Sequence, residues 1–284
     1  MKTLKEYLKL IRLKHYIKNV LIFAPLFFSG NFFNTGMLYQ GIKLFFAFSF
    51  IASFIYIVND IVDRDKDRLH PQKKNRPIAS NKISIKRAVL ISAICLLLAG
   101  ILSVGFPPKV FIIFGIYIAT NFIYSFWLKN VVIVDIFLVA SMYLMRISIG
   151  GALWDITLSH WIVLCTFFFA LFIVTAKRRA EFVTIGAETS TRKVMRDYDK
   201  GFLDTILTIT TTSCIVTYGL YVLSIDKQYL IYSLFFVTFS MLRYLYLVYK
   251  KDHGQYPENS LSDFWIGFGV AGWIVYNSIV FYFF

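Results

Sequence analysis

The run Asn59-Asp60-Ile61-Val62-Asp63-Arg64-Asp65-Lys66-Asp67 places four carboxylates within eight residues, directly behind a long apolar stretch. On a continuous helix Asp60, Asp63 and Asp67 fall at i, i+3 and i+7, within about 60° of one another at ~100° per residue. Asp65 points elsewhere. Three carboxylates on one face repel each other and are costly as a folding device. They suit a hard divalent cation that keeps some waters and takes its other ligands from a substrate diphosphate. The alternative is a solvated charge run interleaved with Arg64, Lys66 and Arg68. Such runs rarely sit at the immediate end of a membrane helix behind an asparagine, so Asn59 joins the candidate ligand-binding residues.

The elements that must position this cluster are membrane helices. The chain has 284 residues, 58% of them hydrophobic, against ~45–50% in a soluble domain. They gather in nearly uncharged blocks of about twenty, the length that carries a helix across ~30 Å of hydrocarbon. An ordinary cytosolic globule is excluded. So is a transmembrane β-barrel, whose strands read as alternating segments of about ten residues. Nine stretches qualify, at 20–33, 38–58, 88–106, 110–127, 133–153, 158–176, 203–224, 229–249 and 264–284. The first is the weakest, because Pro25 and Gly30 interrupt it. The predicted fold is all-α: a polytopic membrane protein of nine transmembrane helices, with residues 1–284 forming a single membrane domain.

Charge gives the orientation. Lys and Arg number 30 against 16 Asp and Glu, a net +14, and the excess lies in residues 1–19, 59–87 and 177–202. The opposite connectors are short and nearly uncharged. The positive-inside rule then puts the basic segments and the amino terminus on the cytoplasmic side of the inner membrane. An odd number of spans puts the carboxyl terminus outside. Basic loops at that surface face anions, either lipid headgroups or phosphorylated substrates. The first twenty residues are cationic and amphipathic, unlike a cleavable signal peptide. Leu4, Leu8 and Ile11 share a helical face that suits the membrane interface. Cys95, Cys165 and Cys214 each fall in an apolar stretch and read as small core residues.

Asn-Asp-x-x-Asp-x-x-x-Asp at the end of the second of nine membrane helices resembles the first aspartate motif of the UbiA-type intramembrane prenyltransferase superfamily. The resemblance implies a helical bundle around a lipid-open cavity, with Asp60, Asp63 and Asp67 holding magnesium and a substrate diphosphate at its cytoplasmic mouth. The following segment, Arg68 to Ala79, is similar to one in which Lys and Arg before a proline hold phosphate oxygens. Here Lys74 offers a point charge and Arg76 a planar fork, though topogenic charge is the plain alternative.

Most members carry another Asp-x-x-x-Asp after the sixth helix. This chain has Lys177-Arg178-Arg179-Ala180-Glu181 there instead, which favours direct contacts to phosphate over a second metal. Together with Arg12 to Val20 and the segment from Tyr124 through Lys129 to Asp135, it resembles the polyprenyl-phosphate phosphoribosyltransferase branch. The resemblance implies magnesium-dependent transfer of 5-phosphoribose from phosphoribosyl pyrophosphate to a polyprenyl phosphate. Lys18, Arg76, Lys177 and Arg178 would neutralise phosphates, with 59–87 and 177–202 as catalytic loops. No general base is needed, because the phosphate nucleophile is already ionised near neutral pH.

Further candidates carry plainer readings beside the functional one. Arg146 lies eleven residues beyond Asp135 on the same helix face, roughly 16 Å deeper. A charge at that depth costs at least ~2.5 kcal/mol, and it serves either substrate or helix packing. Asn121 and Tyr124 could reach ribose hydroxyls or cap a helix end. Lys177 and Glu181, at i and i+4, could pair with each other. Gly150, Gly151, Gly267, Gly269 and Gly272 read as close helix contacts. The abundant Phe and Tyr are bilayer bulk rather than a base-stacking platform, so no nucleic-acid partner is expected; a homo-oligomer is compatible with everything above. Three rivals stand: a prenyltransferase joining a prenyl diphosphate to an aromatic or other small acceptor, a transporter, and a non-catalytic lipid-binding protein. No inverted repeat of the transporter kind is visible, and the last leaves the acidic face unexplained.

Overall fold

The computed structural model describes residues 2–70, 73–185, 193–251 and 263–283. Pro71, Gln72 and Arg192 lie outside the described residues. Among the described residues there is no strand. The helices are α1 (Lys2–Leu10), α2 (Ala24–Phe28), α3 (Thr35–Val62), α4 (Arg64–Leu69), α5 (Ile85–Leu102), α6 (Pro108–Phe126), α7 (Val134–Trp154), α8 (His160–Ile185), α9 (Lys200–Leu223), α10 (Ser233–Lys251) and α11 (Phe264–Phe283). Eight of them, α3 and α5 to α11, are long and apolar enough to cross a membrane.

The expected count of nine is thereby corrected to eight α-helical spans among the described residues. The missing one is residues 20–33. Instead of one helix, the chain runs as a 3-10 stretch, Leu13–Phe23, followed by the five residues of α2. Pro25 sits in the first turn of α2, where a missing N–H breaks no bond. Gly30, at φ 75°, ends it. At ~2.0 Å per residue for a 3-10 helix and ~1.5 Å for an α-helix, residues 13–28 have a contour of roughly 30 Å.

The chain divides into two compact units. The first takes residues up to Trp127 together with Met145–Ile156, and the second takes Leu128–Leu144 together with Thr157 onward. α7 therefore contributes its first half to the second unit and its last turns to the first.

In the first unit α3 is the central element. Its inward residues Leu44, Ala47, Phe48, Ile51, Ala52 and Ile55 are buried. A polar stripe on the same helix receives the 3-10 stretch. Asn19 donates to Ser49 (2.8 Å), Tyr16 and Ser53 share a hydrogen bond (3.0 Å), and Ser53 donates to the Ile11 carbonyl (2.7 Å). Hydroxyls matter here because 3-10 geometry leaves poorer internal bonds, and hydrocarbon offers no water to replace them. Gly150, expected as a close contact, is one: a Cβ there would overlap the carbonyl oxygen of Ile22. Below the stripe Leu10, Ile57, Ile78, Ile83 and Ala88 form a core cluster joining α1, α3, the loop after α4 and α5. Leu4 and Leu8 stay exposed on α1, whereas Ile11, expected on the same face, lies past the end of α1 and packs against this core cluster.

In the second unit α8 and α9 pack along their length, and Ile136, Ala140, Ala170, Leu171, Val174, Val194, Met195 and Leu203 bury together. Cys165 and Cys214 are reduced and buried, with their sulfurs 3.9 Å apart. Gly269 and Gly272 let α11 close on α10, since a Cβ at either would overlap Ser240 or Phe236.

Candidate functional site

The acidic run folds nearly as one helix. α3 ends at Val62 and α4 begins at Arg64, but the bonding carries across. The Asp63 N–H donates to the Asn59 carbonyl (2.9 Å) and the Asp67 N–H to the Asp63 carbonyl (2.8 Å). Asp60 and Asp67 are consequently on one face and both buried at 3% exposure. Asp63, at the junction, is half-buried and lies 4.0 Å from Lys66. Asp65 points outward, as the spacing predicts.

The loop after α4 is folded back onto this face by its own apolar and polar anchors. Ile78 and Ile83 plug into the core cluster. Arg68 donates to the Ala79 carbonyl (3.1 Å), and Arg64 and Arg68 both donate to the Asn81 side chain (3.0 and 2.8 Å). Asn81 takes φ 58°, a left-handed turn that asparagine tolerates. Arg64 and Arg68, which the sequence offers only as charges interleaved with the acids, are thus staples for the loop.

The result is that Arg76 arrives over the acids. Its Nη1 donates to Asp60 Oδ1 (3.0 Å) and to Asp67 Oδ2 (2.7 Å). A second guanidinium comes from the junction of α1 and the 3-10 stretch: Arg12 Nη2 donates to the same Asp60 Oδ1 at 2.6 Å and its guanidinium stacks 4.4 Å from the Tyr56 ring centroid. Burial pushes the Asp67 carboxyl above the ordinary carboxylate range, although Arg76 pulls it down. Burial disfavours the charge on Arg12, yet neighbouring Asp60 holds its pKa above the usual guanidinium value.

Among the described residues no three Asp, Glu, His or Cys side chains converge as a metal site. The donor set nevertheless fits magnesium in kind. Two buried, hard carboxylate oxygens meet at one point, which a guanidinium nitrogen holds, and such an ion completes its shell with water and phosphate.

The remaining first-unit candidates spread along the same elements. Asn59 and Lys18 are half-buried and Lys74 is exposed. Asn121 is buried and donates back to the Tyr117 carbonyl (2.8 Å), and Tyr124 is half-buried one turn further on. Arg146 is buried in an intramembrane polar knot. It donates to Asn19 Oδ1 (2.9 Å) and to the Tyr117 hydroxyl (3.1 Å), with the Phe48 ring 5.3 Å away. The contacts that the packing reading of Arg146 requires are present, from the 3-10 stretch and from α6.

The second unit holds the basic cluster. Arg178 Nε donates to Asp135 Oδ2 (2.7 Å), and the Tyr198 hydroxyl donates to Asp135 Oδ1 (2.7 Å) while accepting from the Ile133 N–H (2.8 Å). Asp135 is wholly buried and Arg178 is 3% exposed. Burial, and then the bond to Asp135, push the Tyr198 hydroxyl well above its ordinary pKa. Ile133 takes φ 68°, an outlier for a β-branched residue, which the Tyr198 bond holds in place. Arg179 pairs with Asp204 and donates to the Val248 carbonyl (2.8 Å). Glu181 is buried 3.6 Å from Arg178, and Lys177 and Lys129 are half-buried. Arg12 and Tyr198 are the two residues that sequence reasoning passed over as site members. Their partners stand 48 and 63 positions away, so no local spacing could have signalled them.

A model of the UbiA prenyltransferase family matches residues 22–274. The chain is 31% identical to decaprenyl-phosphate phosphoribosyltransferase of Mycobacterium tuberculosis, over 94% of this chain and 91% of that one. It is 32% identical to the enzyme of the same name from Corynebacterium glutamicum, over 90% and 80%. In fold it is similar to a UbiA homolog from Archaeoglobus fulgidus, solved bound to DMAPP and Mg2+, with a TM-score of 0.72 at 18% identity, covering 97% of this chain and 99% of that one. A match over most of the chain's length, on membrane helices that carry the aspartate run at the end of α3, makes this protein an integral membrane transferase that belongs to the UbiA prenyltransferase family.

Proposed function

We propose that the chain transfers 5-phosphoribose from phosphoribosyl pyrophosphate to a polyprenyl phosphate at the cytoplasmic face of the inner membrane, with magnesium as cofactor. The whole chain, 1–284, serves this one reaction as a single membrane domain with its amino terminus inside. The observation that carries the reading is the meeting of buried Asp60 and Asp67 under two arginines, in a chain whose relatives of matching length are phosphoribosyltransferases.

Asp60 and Asp67, with Asp63 beside them, are the proposed holders of the ion. Magnesium bound there would supply the charge that stabilises a departing pyrophosphate. The chain's own work is to bring anions together and keep them apart from water. Arg76, Lys74 and Lys18 supply cations for the diphosphate. A guanidinium presents several N–H donors to phosphate oxygens where an ammonium presents a point charge. Asn59, Asn121 and Tyr124 are the proposed polar contacts to the sugar. Lys177 and Lys129 are the proposed cations for phosphate in the second unit, with Arg178, Asp135 and Glu181 holding the helix end that carries Lys177. Arg146 keeps the 3-10 stretch against α6 and α7, and so sets the position of Lys18. Attack by the lipid phosphate on an oxocarbenium-like anomeric carbon inverts that centre, and needs no base because the nucleophile is an anion already.

The test is purified full-length protein in detergent with magnesium, phosphoribosyl pyrophosphate and a polyprenyl phosphate, with the lipid fraction read by mass spectrometry. A mass gain of one phosphoribose is expected. Turnover only of a prenyl diphosphate with a small acceptor would replace this reading with the prenyltransferase one.

A further inference from the structure

The acids of the first unit are covered, and by what they are covered is informative. The side chains of Asp60 and Asp67 are 3% and 4% exposed, whereas those of Arg12 and Arg76 are 20% and 28% exposed. Each arginine side chain thus keeps more contact with solvent than the acid it covers. Two carboxylates facing two guanidiniums are balanced, and one dication carries the same charge as the pair it would displace. Neither arginine holds its acids through a bidentate fork. Arg12 uses Nη2 and Arg76 uses Nη1, so among the described residues neither fork closes on a carboxylate with both of its arms. Arg12 moreover sits at φ 54° and ψ 48°, a left-handed backbone that is strained for a non-glycine residue. The Asp60 bond and the Tyr56 ring hold it there.

We propose that Arg12 and Arg76 are a built-in stand-in for the dication. They close the acid pair in the cation-free protein, and pass to phosphate oxygens when a metal–diphosphate enters. This deepens the metal reading under Proposed function and rests on it. The latch keeps two buried carboxylates from facing one another uncompensated, which is costly in a low-dielectric setting. It also makes entry of the metal and of the diphosphate cooperative: the ion releases the arginines, and the released arginines need an anion. Dications without a diphosphate are held more weakly, since the displaced guanidiniums then exchange a carboxylate for water alone. Arg12 is thus a positioning residue for Asp60 in one state and a phosphate contact in the other.

The experiment is Mn2+ binding to the full-length protein in detergent, followed by electron paramagnetic resonance of the free ion, with and without inorganic pyrophosphate. Without pyrophosphate, Arg12→Gln binds Mn2+ about tenfold tighter than the parent, the scale of one lost charge-assisted bond. Pyrophosphate tightens Mn2+ strongly in the parent and less in Arg12→Gln, because the coupling runs through the missing guanidinium. Tyr56→Leu, which removes the ring beneath the guanidinium and leaves all charges, moves both quantities the same way by a smaller factor. A merely structural arginine gives the opposite sign, since losing it loosens the acids and weakens Mn2+. Unchanged or weaker Mn2+ binding in an Arg12→Gln protein that melts like the parent overturns the latch and leaves the metal reading standing. If Arg12→Gln melts early, the same outcome in Tyr56→Leu overturns it. Absence of Mn2+ binding by the parent even with pyrophosphate removes the metal reading and the latch together.

Discussion

The helix end after α3 and the last two turns of α8 both join arginines to carboxylates, and they differ in which partner is buried. At the first, the acids are inside and the arginines lie nearer solvent. At the second, Asp135 and Arg178 are both inside, at 0% and 3% exposure. A pair whose cation can reach water exchanges its partner at moderate cost. A pair with both members buried cannot, since breaking it strands a charge away from solvent. The same chemical pair is therefore exchangeable in one unit, where the site is proposed, and a staple in the other. Sequence motifs do not distinguish the two, because both are Asp and Arg at helix ends.

Substitutions can break or sharpen this contrast. The largest effect belongs to Asp60→Asn, expected to lower turnover by about 10³ while the protein inserts and melts close to the parent; radiolabelled transfer and a thermal melt together check it. Near-normal turnover would remove the metal argument. Asp135→Asn should do the reverse, costing about 3 kcal/mol of stability, seen as a clear drop in melting temperature in detergent, with the surviving folded fraction active at low temperature. Arg76→Lys keeps the charge and loses the fork, so the KM for the diphosphate donor should rise about tenfold with kcat less affected. Asp65→Ala, the one acid of the run that points outward, should change turnover and stability by less than about twofold, as surface substitutions do. If Asp65→Ala matched Asp60→Asn, charge density rather than burial would define the cluster, and the contrast drawn above would fail.

The spans and the acidic face were readable because both are local. Blocks of apolar residues and an i, i+3, i+7 spacing survive in any context that keeps the helix. The first stretch, expected as a span, is not among the eight α-helical ones for a related reason. Hydropathy counts residues at an α-helical rise, and a 3-10 run covers more distance per residue, supported by Ser49 and Ser53 on α3. Lys177, Arg178 and Arg179 looked alike in sequence. In the fold Arg179 goes to Asp204 and Val248, Arg178 goes to Asp135, and the two are set in place by residues from other helices.

What the chain's order of residues determined unaided is its solvent and the sign of its site's partner: twenty-residue apolar blocks belong in hydrocarbon, and a carboxylate repeat at a helix end calls for a cation. The tertiary structure alone decided which cations are there. Arg12 reaches Asp60 across 48 positions and Tyr198 reaches Asp135 across 63, and no propensity or periodicity carries information over such distances. Partner choice in an ion pair depends on how much water each member keeps, and that quantity exists only once the helices have packed.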